Sequence, residues 1–496
     1  MDSLMSLNFP LFLPFNLLLA LLVLLLIYGT AVVIYNVYFH SLAAYPGPKL
    51  NAASMIVKSY HVYRGTQAQY YAELHKQYGD VVRVSPKELS YITAYAWNDI
   101  YGFRQGHQEF NKLKFLDPDL GPSILLVDRT GHQRMRRLIS HAFSEKALRE
   151  QEPLIKKYVD LLVNRLRETN GEPTNLVAWY NFATFDLIGD LAFGEPFDCL
   201  KDSSYKPWVT ILFDNLKEFI YAISAIELFG NGLAKLLPLI VPESLLRNRK
   251  AHVALTKEKV AKRLKNGTER PDFMSYILRH NDEKGLTHPE IESNSEVLIV
   301  AGSETTATLL SGATYYLLRN PRVMKKLVEE VRSSFTREEE IDLNGVNRLV
   351  YMLAVLDEAL RIYPPAAGSI TRVVPEPGDT VGGKWLPGGT HVAVSHLAAY
   401  RSPKNFKDPD SFVPERWLGD PAYADDNKAV FQPFNMGPRS CIGRNLAYVE
   451  MRLILARVLW NFDLEMMPES ENWTDQKCFI LWEKNPLYVK LSPVNQ

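Results

Sequence analysis

A cysteine between two glycines, near the carboxyl end of the chain, has the surroundings of a metal-binding thiolate. The segment reads Phe434-Asn435-Met436-Gly437-Pro438-Arg439-Ser440-Cys441-Ile442-Gly443, and a helix-like run follows from Asn445 to Leu459. A free cysteine titrates near ~8.5, and the unpaired N–H groups and dipole at a helix start favour its ionised form. Cys441 is therefore predicted to bind a large metal centre. The alternative is an inert buried thiol, the usual state of a lone free cysteine.

The residues around Cys441 suit a flat, acidic ligand. Gly437 and Gly443 let the backbone turn tightly and approach such a ligand where a Cβ would collide. Arg439 can pair with an acidic substituent, and Phe434 can pack against the ligand's face.

The spacing F-x-x-G-x-R-x-C-x-G resembles the haem-binding loop of the cytochrome P450 superfamily. The resemblance implies haem b (iron protoporphyrin IX) with Cys441 as iron ligand, and Phe434, Arg439 and Gly443 as cofactor-binding residues. It also implies a mostly α fold with small β-sheets. Two further stretches look like fungal microsomal members that tailor secondary metabolites: Glu109–Lys112 and Leu446–Arg452.

Periodicity supports the same fold class. Helical patterns occur at Glu152–Glu168, Tyr180–Leu191, Pro207–Ile223, Arg322–Phe335 and, longest of all, Pro289–Leu318. Short strand patterns occur at Val81–Val84, Leu89–Thr93, Ser369–Val374 and His391–Val394. Helices dominate, with a minor sheet, in one catalytic domain.

The longest predicted helix carries Ala301-Gly302-Ser303-Glu304-Thr305-Thr306, which resembles the A-G-x-[DE]-T-T motif of the same superfamily. A glycine inside a helix costs about 1 kcal/mol relative to alanine, which suggests local widening where a small ligand and water fit. The resemblance implies that Thr305 donates a hydrogen bond to bound dioxygen and that Glu304 connects to solvent. In the alternative, Thr305 bonds back to its own helix carbonyl.

Two arginines and a glutamate are expected to support the cysteine loop. Glu358 and Arg361 lie three residues apart on one helix face, and Arg416 follows in Pro414–Trp417. In the family these segments form a Glu–Arg–Arg cluster beneath the haem. We therefore predict a folding role for these three residues.

Haem propionates need cations, and the family pattern supplies several. Besides Arg439, Arg372 fits a second position. His132 and Arg136 lie four residues apart and therefore side by side on a helix. Most relatives have tryptophan at the first of these positions. Histidine there can still bond a carboxylate, although a lone histidine is more often a packing residue.

The amino-terminal segment is predicted to be a membrane anchor. Phe9 to Phe39 has no charged residue, and Leu17 to Ile34 is almost wholly apolar, long enough to span a bilayer. A cleavable signal peptide is the alternative, but it needs a basic start, and only Asp2 is charged there. Because the first basic residues follow the span, the positive-inside rule places the body in the cytoplasm. We expect an anchor (residues 1–44) and a catalytic domain (residues 45–496) in a single-pass endoplasmic reticulum protein.

The amino-acid composition limits the kinds of partner that this protein can have. The 496 residues carry equal numbers of acidic and basic side chains, 56 each, which argues against nucleic-acid binding. Three cysteines without a C-x-x-C pair give neither a disulfide framework nor a zinc site. No G-x-G-x-x-G segment follows a strand, so the electrons must come from another protein. The resemblance implies NADPH-cytochrome P450 reductase.

The substrate is predicted to be lipophilic. By family location the pocket is lined by parts of Phe103–Leu125, Leu212–Ile223, Val297–Ala301, Ala366–Ile370 and Phe479, which are largely apolar. Analogy suggests a terpenoid or an aromatic polyketide. The Leu236–Val241 run, bounded by Pro242, either dips into the membrane surface or forms a buried loop.

Two other activities fit the same motifs. A haem-thiolate isomerase or dehydratase would rearrange a peroxide without a reductase, although it has little use for the Glu304–Thr305 pair. A membrane-tethered haem sensor would turn over no substrate.

Overall fold

The computed structural model describes residues 15–113, 121–206, 220–228, 243–265, 267, 269–279 and 285–494. The segment Leu236–Pro242, most of Leu212–Ile223 and part of Phe103–Leu125 lie outside these ranges, as does most of the helix predicted at Pro207–Ile223.

Helices form most of the described chain, so the prediction of a mostly α fold with small β-sheets is confirmed. They are Phe15–Ile34, Lys49–Ala53, Ile56–Arg64, Gln67–Tyr78, Ala94–Tyr101, Arg129–Ile139, Glu145–Arg167, Leu176–Phe193, Cys199–Asp202, Glu243–Leu264, Phe273–Arg279, His288–Arg319, Pro321–Ser334, Leu343–Val346, Val350–Ile362, His396–Tyr400 and Arg444–Asn461.

The centre of the fold is the helix His288–Arg319, hereafter the long helix. It begins with a capping box, in which the Glu290 carboxylate accepts the N–H of Thr287 at 2.9 Å, and it ends before Pro321. It packs along Leu176–Phe193, which is mostly apolar and almost wholly buried. Together with Arg444–Asn461, hereafter the cysteine-loop helix, these helices carry much of the largest apolar core.

Twelve short strands form four small sheets among the described residues. They are β1 Val81–Ser85, β2 Glu88–Tyr91, β3 Asn111–Lys112, β4 Thr174–Asn175, β5 Arg372–Val373, β6 Gly378–Val381, β7 Lys384–Pro387, β8 His391–Val394, β9 Phe462–Met466, β10 Lys477–Phe479, β11 Leu481–Glu483 and β12 Tyr488–Pro493. The largest sheet has the order β1-β2-β8-β5-β3, with β2 and β8 parallel. The four strand patterns named from the sequence all contribute to this sheet.

The amino-terminal helix stands apart from the core. Its apolar span covers Leu17–Phe39, has a mean hydropathy of 3.0, and buries none of that surface against the rest of the protein. It is α-helical to Ile34 and continues as a π-turn over Tyr35–Phe39. By length and composition this helix is compatible with membrane anchoring.

Candidate active site

The cysteine loop turns sharply and closes on itself just before the cysteine-loop helix. The N–H of Cys441 donates to the carbonyl of Phe434 at 2.8 Å. Gly437 has a φ of +73°, and a Cβ there would lie 2.0 Å from the carbonyl oxygen of Tyr101. Glycine is thus required for the predicted tight turn and for close packing on Tyr101, while its approach to a flat ligand stays a prediction.

Gly443 differs from Gly437. It caps the cysteine-loop helix with a φ of −85°, and a Cβ would have no neighbour closer than 3.8 Å. No protein atom therefore demands glycine here, and its role toward a flat ligand stays a prediction. Phe434 is half-buried, with its ring 5.3 Å from that of Tyr448 and the Arg444 guanidinium 5.8 Å from its centroid.

The thiol of Cys441 is accessible, and opposing effects act on its ionisation. Although the side chain is exposed, nearby protein displaces enough water to raise its pKa. The N–H of Gly443 and the charges of Arg136 and Arg444 act the other way, as predicted for a helix start. Desolvation is the largest of these effects, and the helix start and the two arginines partly offset it. A bound metal would deprotonate a coordinating thiol outright.

Cations crowd the region beside the loop. Lys112 on β3 lies opposite Arg372 on β5, and Arg439 and His132 are close enough to act on the same charges. Burial together with Arg372 and Arg439 lowers the pKa of Lys112 to about 7. Burial together with Arg439, Arg136 and Lys112 lowers the pKa of His132 to about 4. An anion here would relieve this repulsion.

Two of these arginines have spare donors. The Nη1 groups of Arg372 and Arg439 are buried and have no hydrogen-bond partner among the described residues. Arg439 already pairs with Glu109 and donates to the carbonyl of Val127 at 3.2 Å. Buried N–H groups of a charged side chain rarely stay unpaired. Two orphaned guanidinium donors beside an accessible thiol fit a haem, whose propionates are carboxylates and whose iron takes a thiolate.

Sequence reasoning assigned no role to Lys112 and did not predict the contact that Arg136 makes with the cysteine loop. Lys112 was named only within a stretch of family likeness, and its pairing with β5 comes from the sheet register. Arg136 donates to the Ser440 carbonyl at 2.7 Å and lies 3.3 Å from its Oγ, so the structure shows it holding the cysteine loop. His132 is buried with 4% exposure among these cations.

The long helix is regular at the Ala301–Thr306 motif, so the predicted widening is absent from it. A Cβ on Gly302 would lie 2.6 Å from Cδ1 of Ile188, so glycine is needed for the close packing of two helices. The Thr305 hydroxyl donates to the Ala301 carbonyl at 2.7 Å. That is the back-bonded alternative, and Thr305 must turn away from its helix to bond a ligand.

Glu304 is almost wholly buried and is paired with a lysine. Its carboxylate forms an ion pair with Lys484, between β11 and β12, and the two side chains are 7% and 3% exposed. The Lys484 ammonium also donates to the Thr308 hydroxyl at 2.8 Å. Burial raises the pKa of Glu304, against the opposing effects of Lys484 and Thr308. No sequence pattern singled out Lys484.

The structure joins the three residues of the predicted folding cluster. Arg361 donates to both Glu358 oxygens at 2.7 and 2.8 Å, and Arg416 donates to one at 3.1 Å. All three side chains are fully buried. Two residues not foreseen complete the cluster. Asp426 pairs with Arg416, and the Trp417 indole N–H donates to Glu358 at 3.0 Å.

Another buried glutamate, Glu450, joins the cysteine-loop helix to the long helix. Glu450 is 1% exposed and shares a hydrogen bond with the Thr306 hydroxyl. Burial raises the pKa of this carboxyl from 4.5 to about 8. At neutral pH the folded protein therefore holds a proton that the unfolded chain has released.

Glu450 should make stability depend on pH. A folded-state pKa above the unfolded value gives stability that is complete below pH 4.5 and is lost as pH rises toward about 8. Between pH 6 and 7.5 the free energy of unfolding should fall by about 2 kcal/mol more in wild type than in Glu450→Gln. Urea unfolding at both pH values checks this. If the free energy of unfolding changed equally with pH in both proteins, Glu450 would not be protonated in the folded state.

Part of the predicted pocket lining lies together. Ile220, Val62 and Phe479 form a small buried apolar cluster, and the Tyr221 ring packs edge-on to Phe479 at 5.8 Å. Val62 was not among the predicted lining residues. Its helix, Ile56–Arg64, follows the anchor closely in the chain.

Comparisons with known proteins agree with this geometry. The family model described as Cytochrome P450 matches residues 46–491. Cytochrome P450 monooxygenase astA of Talaromyces wortmannii is 53% identical over 480 residues, which cover 96% of this chain and 97% of that protein. Averantin hydroxylase of Dothistroma septosporum is 45% identical, covering 95% and 90%. The family model and these relatives match almost the whole length of the chain, including the cysteine loop. This chain therefore belongs to the cytochrome P450 family.

Proposed function

We propose that this chain is a haem-thiolate monooxygenase that inserts one oxygen atom from O2 into a lipophilic small molecule. Its cofactor is haem b, and its electrons come from a separate reductase. Among relatives, one is named a monooxygenase and another averantin hydroxylase, which supports an oxidation in fungal secondary metabolism. This proposal depends most on the accessible Cys441 beside two buried arginines, Arg372 and Arg439, whose Nη1 groups lack a hydrogen-bond partner among the described residues.

The residues that would hold the cofactor are Cys441 through its sulfur, and Arg372 and Arg439 through their spare Nη1 groups. The side chains of His132 and Lys112 would be further polar neighbours of the haem propionates. When bound, haem supplies the activation of dioxygen, and a thiolate ligand favours O–O cleavage. The protein's own contribution is to fix the sulfur, exclude water and orient the substrate. Arg136 helps to fix the sulfur, because it donates a hydrogen bond to the carbonyl of Ser440, the residue before Cys441.

We assign proton delivery to Thr305 and Glu304. Reductive cleavage of dioxygen consumes two protons, which must reach the distal side of the site through polar groups. Thr305 lies on the exposed side of the long helix, and Glu304 precedes it. For this role the Thr305 hydroxyl exchanges its bond to Ala301 for one to a water molecule or ligand.

Thr305→Ala should uncouple electron use from product formation. Without the hydroxyl, protons arrive less selectively, and reduced oxygen leaves as hydrogen peroxide. A positioned proton donor contributes roughly 10²–10⁴-fold, so product per NADPH should fall by at least about 10-fold as water replaces the group. Product and peroxide are measured together. Thr305→Ser keeps the hydroxyl and should stay coupled; tight coupling in the alanine variant would refute the assignment.

The pocket lining supports a lipophilic substrate. Ile220 and Phe479, two of the predicted lining residues, are apolar and lie together, which favours a terpenoid or an aromatic polyketide intermediate. Binding of such a molecule would change the absorption spectrum of the haem-loaded protein. Type-I spectral titration against a panel of pathway intermediates would identify the substrate.

We propose the following cellular arrangement. Residues 1–44 anchor the protein in the endoplasmic reticulum membrane through the Leu17–Phe39 span, and residues 45–496 form the catalytic domain. Basic residues follow the span, which favours a cytoplasmic catalytic domain. There the domain would receive electrons from NADPH-cytochrome P450 reductase.

The decisive test combines cofactors and isotopes. The purified protein is incubated with reductase, NADPH and ¹⁸O2, and the product is examined for one labelled oxygen atom. Turnover of a hydroperoxide without NADPH would instead identify an isomerase or dehydratase. A haem sensor would turn over none of the pathway intermediates, and the Thr305→Ala variant would behave like the wild-type protein.

A further inference from the structure

A lysine far along the chain reaches the proposed relay acid. Lys484 lies between β11 and β12, and its ammonium contacts Glu304 and the Thr308 hydroxyl. Glu304 and Thr308 are four residues apart, so the ammonium bridges one face of the long helix. Both members of the ion pair are almost wholly buried, at 3% and 7% exposure.

The other carboxylate oxygen of Glu304 is unsatisfied. Oε2 is buried without a hydrogen-bond partner among the described residues. A half-satisfied buried carboxylate is unfavourable for stability, since its second oxygen has lost water and gained no donor. Such an oxygen is available to take up a proton and pass it on. The arrangement therefore suits proton transfer better than fold stability.

Lys484 dominates the charge environment of Glu304. Among the described residues, Tyr205 and Tyr363 are further titratable groups whose charges couple to this carboxylate. Burial raises the pKa of both phenols, Tyr205 to about 12, so neither ionises near neutral pH. Burial favours the protonated form of Glu304 and Lys484 favours the ionised form.

We propose that Lys484 is a positioning residue that controls when Glu304 carries a proton. With the ammonium in contact, Glu304 is held as a carboxylate. When the ammonium moves away, the buried carboxylate takes a proton from solvent. Glu304 then passes this proton toward Thr305 and is re-formed as a carboxylate, which Lys484 stabilises again. One proton enters for each that leaves, and no electron is exchanged.

This inference rests on the proposed relay, so the test separates the two. Lys484→Met removes the charge but keeps much of the side-chain length, whereas Lys484→Arg keeps the charge. Infrared difference spectra of the holoenzyme, with Glu304→Gln as the reference, identify the carboxyl band of Glu304. Titration of that band should move to higher pH by about one unit or more in Lys484→Met and stay near wild type in Lys484→Arg.

The pH profile of product per NADPH should shift with the band. An unchanged band and profile in Lys484→Met would overturn the role of Lys484, even if Glu304→Gln uncouples the enzyme. If Glu304→Gln stays fully coupled, the relay itself is wrong. Should Lys484→Met lose the thiolate Soret band, Lys484→Gln replaces it, with the same two outcomes deciding.

Discussion

Replacing Cys441 with serine should abolish the red-shifted Soret band of the reduced carbon monoxide complex and reduce monooxygenase turnover to background. The band requires a thiolate ligand, and serine offers a neutral, harder oxygen that donates far less electron density. Because Cys441 is free and accessible at the turn before the cysteine-loop helix, the change should leave the loop backbone intact. The reduced carbon monoxide difference spectrum is the measurement.

Cys199→Ala is the matched control. Cys199 is also a free thiol, but it is buried at 0% exposure, and burial raises its pKa to about 12. Its removal should leave the Soret band in place at a modest cost in stability. A normal band in Cys441→Ser would mean that another residue binds the iron.

Local spacing explains why the cysteine loop and the long helix could be predicted from sequence. The capping pair Thr287 and Glu290 and the stop at Pro321 lie within a turn of the helix ends they fix. Ten consecutive residues likewise form the cysteine loop. Features that depend on residues close together in the sequence can be predicted before the fold is known.

The residues that contact the site side chains could not be predicted from the sequence, because they come from distant segments of the chain. Lys484 reaches Glu304 across 180 residues, and the sheet places Lys112 opposite Arg372. Lys484 stands in no recognisable motif, and Lys112 belongs to a family-like stretch that gives it no role. Sequence reasoning therefore found the reactive groups but not the charges that set their protonation.

Gly302 shows a different failure. Its presence in a helix was correctly expected to need a reason, but the reason is the Ile188 side chain packed against it. Close packing and local widening both favour glycine, and only coordinates distinguish them.

Glu358→Ala should destabilise the protein by about 3–5 kcal/mol, the usual cost of leaving a buried ion pair without one partner. Arg361 would lose both of its carboxylate contacts, and Arg416 one, in a region with no solvent exposure. The loss should spread to the cysteine loop, since Glu358 also accepts from the indole N–H of Trp417, whose ring packs 4.5 Å from Phe431. Denaturant unfolding and the fraction of protein with the thiolate Soret band measure the two effects.

Glu329→Ala is the matched control, because it removes the glutamate of an ion pair on a helix surface, where the partner is a lysine. Glu329 and Lys325 lie 3.9 Å apart with 64% and 79% of their side chains exposed, so water compensates for the lost contact. This variant should lose no more than about 0.5 kcal/mol and keep its full Soret band. Glu358→Gln should fall between the two, since an amide keeps part of the hydrogen bonding but not the charge. Equal stability of Glu358→Ala and Glu329→Ala would show that the buried cluster does not hold the cysteine loop.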